Sequence, residues 1–319
     1  MHHTDRPSRR EMIFYSALLL APATLLATEE TPTTQPAEPI IDIHQHTNYK
    51  GRTDEQLLRH QLGMGVTHTI LLPAGSIVNE PATHNGKSNG LAAGCGGNET
   101  VLPIARAHPG EYSFFANEVA DLPEARQELT KYLKLGAKGI GEQKFGVACD
   151  SPQIEQIAEI AGEFNVPVLM HFQEGMYNMG FVNFHKILKK YPKVNFIGHA
   201  QSVWAYTDKD YADVKVLYPK GKVTPGGVTD RYLSDYPNFW ADMSAGSGLN
   251  FLLRDEAHAQ GFLDRHQDKM MFGSDCIDIV GRGPTCLGWN IIHTVRRIAP
   301  NKKIERKLLY ENARRLFKL

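Results

Sequence analysis

The sequence predicts a single α/β domain, a closed (β/α)8 TIM barrel over residues 40–319, preceded by an export signal and a short linker. Two observations predict it. Short apolar runs alternate with helical patterns eight times, which is typical of parallel strands joined by right-handed helical crossovers. The turn after the first run reads His44-Gln45-His46, without the glycine-rich motif that usually follows the first strand of an open dinucleotide-binding sheet.

The first 27 residues have the composition of an export signal. Paired arginines, Arg9 and Arg10, precede a short apolar run that ends in small residues. Paired arginines after a serine resemble a twin-arginine signal, which carries folded proteins across a membrane. The run is shorter than the ~20 residues of a spanning helix and contains Pro22, so we expect no stable membrane anchor. These features predict export to the periplasm, with residues 28–39 as a linker.

The predicted strands follow one another at regular intervals. They are residues 40–44, 67–73, 112–117, 137–143, 166–171, 194–199, 238–243 and 269–275. Helical patterns lie at residues 54–64, 98–108, 122–135, 153–164, 181–191, 256–266, 288–299 and 304–317. Residues 201–237 form a long polar segment, which is typical either of a lid over a site or of a contact in a homo-oligomer.

Charge and cysteine content exclude several classes of protein. Lys plus Arg and Asp plus Glu both total 35, so the formal net charge is zero. A neutral chain lacks the basic surface that binds nucleic acid, so we expect a small-molecule substrate. The four cysteines form no CxxC pair and predict neither a disulfide framework nor a structural zinc site.

Possible metal ligands stand at the ends of five predicted strands. In a parallel barrel these ends form the face that carries the chemistry, and imidazole and carboxylate are the usual ligands of zinc. Each residue also has a structural interpretation, as a helix cap or a buried core histidine, but their joint placement favours a metal centre. The residues are His44 and His46 on the first strand, Glu142 on the fourth, His171 on the fifth, His199 on the sixth and Asp275 on the eighth.

Several of these segments resemble the strand-end motifs of the amidohydrolase superfamily, and more narrowly its amidohydrolase-2 branch of hydrolases, lactonases and decarboxylases. The motifs are IDIHQH at 41–46, LMH at 169–171, FIGH at 196–199 and MFGSD at 271–275. The segments ARAHPGEYSF at 105–114 and YENARRLF at 310–317 also resemble that branch. The resemblance extends over residues 40–319.

The resemblance implies one or two divalent ions, with zinc expected and manganese or iron as alternatives. It makes His44, His46, His171 and Asp275 the ligands of the principal ion. If two ions bind, the resemblance makes His199 a ligand of the second ion. If one ion binds, it gives His199 a catalytic role. Asp275 would also accept the proton of the attacking water.

The fourth strand departs from a single family pattern. Glu142 resembles the glutamate of TatD-type hydrolases, and it would bridge two ions while Lys144 meets an anionic group of the substrate. The structural alternative is a buried ion pair between Glu142 and Lys144. Arg282, in the loop after the eighth strand, is a further candidate for substrate binding.

These observations predict a metal-dependent hydrolase that uses a metal-activated water on an amide, lactone or ester-like bond of a small molecule. Asp275 and His199 are the expected catalytic residues. The first alternative is a metal-dependent decarboxylase on the same scaffold. The second is a TatD-like phosphodiesterase.

Overall fold

A computed structural model describes residues 38–84 and 94–319, and it contains the predicted barrel. The eight parallel strands of this part of the chain are β1 (Ile41–Gln45), β2 (His68–Leu71), β3 (Tyr112–Phe114), β4 (Ile140–Gln143), β5 (Val168–His171), β6 (Phe196–His199), β7 (Phe239–Asp242) and β8 (Met270–Met271). Consecutive strands pair from β1 to β3 and from β4 to β8. A parallel bridge between Ala116 and Ile140 links the two groups. Ile43 N–H donates to the Phe272 carbonyl at 3.2 Å and closes the ring, which confirms the α/β barrel.

The predictions for the N-terminus lie almost entirely outside the described residues. They concern the export signal and most of the linker, which fall within residues 1–37. Export, the twin-arginine signal and a periplasmic location therefore stay predictions. Over residues 38–84 and 94–319, no helix is both long and apolar enough to cross a membrane.

Helices follow the strands around the barrel. Those of the described residues are α1 (Asp54–Met64), α2 (Asn98–Ala107), α3 (Ala125–Lys134), α4 (Pro152–Phe164), α5 (His185–Lys190), α6 (Gln201–Ala205), α7 (Val228–Asp235), α8 (Ala245–Arg254), α9 (Glu256–Arg265), α10 (Leu287–Ile298), α11 (Lys302–Arg306) and α12 (Asn312–Phe317). Capping side chains explain where several of these helices begin. At α1, for example, Thr53 and Gln56 form a reciprocal capping box. The predicted helix at 304–317 corresponds to α11 and α12, which are joined by a π-helical segment at Lys307–Glu311.

Three helices differ from the sequence-based expectation. α6 and α7 lie within residues 201–237, which were expected to be a polar loop. α8 was not predicted because its first six residues include Gly246, Gly248 and Asn250, which are poor helix formers. Packing requires Gly248 there, since a Cβ atom on it would lie 2.0 Å from the Met243 carbonyl oxygen. Phe251 of α8 also stacks on Trp204 of α6, so tertiary contacts outweigh local propensity in α8.

The apolar core has two layers. One layer fills the space between strands and helices and includes Val168 and Met170 of β5. The other fills the barrel interior and includes Leu169 of the same strand, as expected from the alternation of side chains along a strand. α12 contributes Ala313 and Phe317 to the interior layer. The C-terminal helix is therefore part of the barrel core.

A buried carboxylate ties α7 to the end of α9. Asp230 accepts hydrogen bonds from His266 Nε2 at 2.6 Å and from Arg265 at 3.1 Å. Burial would raise the pKa of Asp230, but the hydrogen bond from His266 and the charge of Arg265 outweigh it and lower this pKa to about 2. A carboxylate whose pKa is lower in the folded than in the unfolded chain stabilises the fold above its ordinary pKa, and that contribution is lost as the pH falls through the folded pKa.

We expect Asp230→Asn to lower the free energy of unfolding at neutral pH by about 1–3 kcal/mol, because it weakens two charge-assisted hydrogen bonds. The difference from the wild type should shrink as the pH falls from about 4 to about 2, the window set by the unfolded and folded pKa. Urea titrations across this range measure it. Asp235→Asn, at the exposed end of the same helix, is the matched control. If the loss of stability in Asp230→Asn stays constant with pH, the lowered pKa of Asp230 does not contribute to the stability of the fold.

Candidate active site

Two histidines and two carboxylates form a first donor group at the C-terminal end of the barrel. His44 Nε2 and His46 Nε2 lie 4.0 and 3.5 Å from Asp275 Oδ1. Both nitrogens lie 3.6 Å from Glu142 Oε2. Asp275 reaches this position because its backbone N–H donates to the His44 carbonyl at 2.8 Å, where the chain leaves β8 beside β1. Four donor atoms from three strand ends thus surround one point.

A second donor group uses the other oxygen of Glu142. His171 Nδ1 donates to Glu142 Oε1 at 2.6 Å, and His199 Nε2 lies 3.6 Å from the same oxygen. His199 Nε2 is also 3.9 Å from Asp275 Oδ2. The resemblance placed His171 with His44 and His46, whereas the structure places it against Glu142. Each oxygen of Glu142 therefore faces a different pair of histidines.

The strand register explains why the histidines of β5 and β6 point inwards. His171 follows Leu169 by two residues, and His199 follows Ile197 by two, and both apolar residues belong to the barrel interior. Side chains two apart on a strand share a face. The register pairs His171 directly with His199 across the sheet.

Hydrogen bonds at the far side of each ring orient the histidines. His44 Nδ1 donates to Asp242 Oδ2 at 2.7 Å, and His46 Nδ1 donates to the Leu72 carbonyl at 2.8 Å. His199 Nδ1 donates to Ser244 Oγ at 2.9 Å, while Ser244 Oγ donates to Asp242 at 2.8 Å. These partners fix the tautomer in which Nε2 has its lone pair towards the cluster. Metal-binding histidines in proteins are held in this way.

The sequence model of one protein family covers almost all of the described barrel. The amidohydrolase model matches residues 41–319. The chain belongs to this family. No match was found among curated proteins.

Solved structures agree with the amidohydrolase fold at low sequence identity. A probable 2-pyrone-4,6-dicarboxylic acid hydrolase from Acinetobacter baumannii has a TM-score of 0.58 and 14% identity, over 88% of this chain and 99% of that one. A 2,6-dihydroxybenzoate decarboxylase from Rhizobium has a TM-score of 0.55 and 14% identity, over 88% of this chain and 99% of that one. A 5-carboxyvanillate decarboxylase from Sphingomonas paucimobilis has a TM-score of 0.55 and 13% identity, over 84% of each chain. At such identities the similarity establishes the fold alone.

The amidohydrolase centre has the features of a site for divalent ions. Among residues 38–84 and 94–319, His44 Nε2 and Asp275 Oδ1 are buried atoms that find no hydrogen-bond partner. A buried polar atom without a partner costs free energy, so atoms aimed at a shared point require a ligand there. The two donor groups, His44–His46–Asp275 and Glu142–His171–His199, each bring three ligand atoms within 4.8 Å of one another. Imidazole with carboxylate fits zinc, manganese or iron.

The electrostatics of the centre keep its two carboxylates ionised. Burial would raise the pKa of Asp275, but the neighbouring imidazoles of His44 and His46 outweigh it and lower this pKa to about 2. Burial and the charge of Lys144 lower the pKa of His171 to about 4. Burial would raise the pKa of Glu142, but Lys144 and the hydrogen bond from His171 hold it well below its ordinary value. At neutral pH the carboxylates are therefore charged and His171 is neutral.

The two predicted substrate-binding residues differ in position. Lys144 borders the second donor group: its ammonium lies 5.3 Å from the centre of the Tyr177 ring, which contacts His171. The ion pairs of Glu142 within the described residues all run to histidines, so the alternative of a direct Glu142–Lys144 pair is not observed. Arg282 is exposed and donates to the Gly63 carbonyl at 3.0 Å, and the structure does not bring it to the cluster.

Sequence reasoning missed two residues of the centre. Asp242 ends β7 and is fully buried behind His44. Its signal was available, because it follows Trp240 of the barrel interior by two residues and so shares the inward face. Tyr49 packs edge-on against His46 at 5.0 Å, and the charge of Asp275 raises the pKa of its hydroxyl strongly. Tyr49 lies in a short turn after β1 where the sequence has no strand or helix periodicity, so no pattern indicated its place in the centre.

Proposed function

We propose that this amidohydrolase is a binuclear metal-dependent hydrolase, acting on an amide, lactone or ester-like bond of a small molecule. The observation that carries the proposal is the division of Glu142 between the two donor groups. Its Oε2 lies 3.6 Å from His44 and His46, and its Oε1 lies 2.6 Å from His171 and 3.6 Å from His199. A carboxylate with one oxygen towards each group is suited to bridge two ions, with zinc as the expected metal.

Asp275 is the proton acceptor in this proposal. Bound divalent ions at such a site lower the pKa of a water to about 7 and polarise a substrate oxygen. Asp275 is the carboxylate of the centre that meets solvent: its side chain is 15% exposed, against 4% for Glu142. It can therefore take the proton of the attacking water and deliver it to the leaving group. The hydrogen bond to Ser244 orients the His199 ring, so that Nε2 lies between Glu142 and Asp275.

The substrate we propose carries a carboxylate or another anionic group. Lys144 supplies a half-buried cation beside the second donor group, with its ammonium held over Tyr177. An ammonium in such a position attracts a substrate anion without needing a fixed geometry. The three similar structures named above have carboxylated compounds in their names. A carboxylated lactone or amide is therefore the first substrate class to assay.

A decarboxylase on the same scaffold is the second candidate, because two of the similar structures are decarboxylases. It differs from the hydrolase in needing one ion and in releasing carbon dioxide. A TatD-like phosphodiesterase differs in cleaving a chromogenic phosphodiester. Both assays use the same protein preparation as the hydrolysis assay.

The number of ions at the centre tests the proposal. We expect elemental analysis to show two metal ions fewer per chain in the double variant His46→Ala, His199→Ala than in the wild type. The double variant removes one imidazole from each donor group, and the difference counts only ions that depend on these residues.

A difference of one ion would reject the binuclear site and favour the decarboxylase. No difference, after incubation of both proteins with zinc, would reject a metal centre here. His293→Ala together with His185→Ala, two histidines on helices outside the cluster, is the matched control and should leave the metal content unchanged.

A further inference from the structure

Two cysteines and a histidine form a second buried cluster next to Asp275 along the chain. His60 lies on α1, Cys276 follows Asp275, and Cys286 is the N-cap of α10. Each is at most 1% exposed. Cys286 Sγ lies 3.7 Å from Cys276 Sγ and 3.4 Å from His60 Nε2. We call these three residues the thiol cluster.

The ligand atoms of the thiol cluster all lie within 4.8 Å of one another, and two of their separations match a zinc tetrahedron. With zinc–sulfur bonds of about 2.3 Å, two sulfur ligands lie about 3.8 Å apart, and a sulfur and an imidazole nitrogen lie about 3.5 Å apart. The observed separations of 3.7 and 3.4 Å match both edges. A disulfide would require about 2.05 Å between the sulfurs. We propose that the thiol cluster binds one zinc ion through His60 Nε2, Cys276 Sγ and Cys286 Sγ, separate from the ions of the active site.

Hydrogen-bond donors and a positive charge lie around the sulfur atoms of the thiol cluster. The backbone N–H of Trp289 donates to Cys286 Sγ at 3.4 Å, and that of Gly288 donates to Cys276. Both groups belong to the first turn of the 12-residue helix α10. The Arg52 guanidinium donates to the Cys276 carbonyl at 2.9 Å and places a positive charge nearby. In proteins, such donors and cations commonly surround sulfur atoms that bind a metal.

An ion in the thiol cluster would connect three elements around Asp275. It would join α1, the segment directly after Asp275 and the start of α10. The three protein donors leave the fourth corner for a small ligand such as water. The sequence predicted no zinc site at these cysteines because nine residues lie between Cys276 and Cys286 and His60 is remote in the chain.

Cobalt binding tests the thiol cluster independently of catalysis. The full chain is reduced, stripped of metal and titrated with Co²⁺, which takes up zinc sites. We expect a sulfur-to-cobalt charge-transfer band in the near ultraviolet, because thiolates coordinate the ion. The active-site donor groups contain only nitrogen and oxygen ligands and cannot give this band. The band should disappear in Cys286→Ser and persist in Cys149→Ser and Cys95→Ser, which alter the other two cysteines.

A measurement on the wild type alone protects the test against variants that fail to fold. An organomercurial, which binds thiolates, should release one equivalent of zinc from the zinc-loaded chain. Absence of the cobalt band, or a band that persists in Cys286→Ser, would overturn the proposal. So would an isolated chain whose intact mass is lower by two hydrogens through a Cys276–Cys286 disulfide, with no zinc released.

Discussion

Asp275→Asn should lower turnover by about 10²–10⁴-fold, the usual contribution of a positioned acid–base group. Asparagine has the same size and keeps one oxygen towards His46, but it cannot accept a proton from water. The variant is assayed for kcat and KM at a metal concentration that restores full occupancy, which separates proton transfer from metal loss. We expect the loss in kcat rather than in KM, because Asp275 acts on the reacting water and not on the substrate's anionic group.

Asp278→Asn is the matched control for Asp275→Asn. Asp278 lies three residues further along the same loop and accepts the N–H groups of Val280 and Gly281 at 2.8 and 2.7 Å. Asparagine can keep both hydrogen bonds through its side-chain oxygen, so activity should stay at the wild-type level. An Asp275→Asn variant with wild-type kcat at full metal occupancy would remove Asp275 from the mechanism.

Glu142→Gln should leave the chain with one ion fewer than the wild type. Glutamine has one carbonyl oxygen in place of two carboxylate oxygens, so it can face only one donor group. Loss of an outer partner of a metal ligand already costs about 10–100-fold in metal affinity, and loss of a bridging ligand should cost more. Metal titration followed by calorimetry measures both affinities, and hydrolysis should fall in parallel with the loss of the second ion.

Glu118→Gln controls for the removal of a buried carboxylate elsewhere. Glu118 accepts hydrogen bonds from Ser76 N–H and Oγ at 2.7 and 2.8 Å, away from the donor groups. Its replacement should leave the metal content unchanged. If Glu142→Gln keeps the full metal content, Glu142 does not bridge. The histidine groups would then hold their ions without it.

The fold and the position of the centre could be predicted from the sequence, because both depend on local patterns. Alternation of strand and helix gave the barrel, and a barrel brings strand ends together. His44, His46, Glu142, His171, His199 and Asp275 therefore met where expected. The same reasoning could have found Asp242, which stands at the end of β7 like the others.

The finer arrangement depends on contacts between residues remote in the chain. Whether His171 faces His44 or Glu142 depends on the pairing of β4 with β5, whose register shifts between Ile140 and Gln143, and no local pattern encodes it. Arg282 was expected at the substrate because of its loop, yet it caps the end of α1 through the Gly63 carbonyl. α8 was missed for a similar reason, since its Phe251 stacks on Trp204 of α6, which is remote in the chain.

The place of α12 in the barrel interior affects how the chain must fold. Phe317 packs edge-on against Phe115 at 5.6 Å, and Ala313 joins the same cluster as Ile41 of the first strand. A nascent chain on the ribosome has made all eight strands before these residues emerge. Its unfinished barrel leaves that apolar interior open to water and to other chains. Folding of this domain can therefore finish only after α12 has been made, and until then the open interior is prone to aggregation.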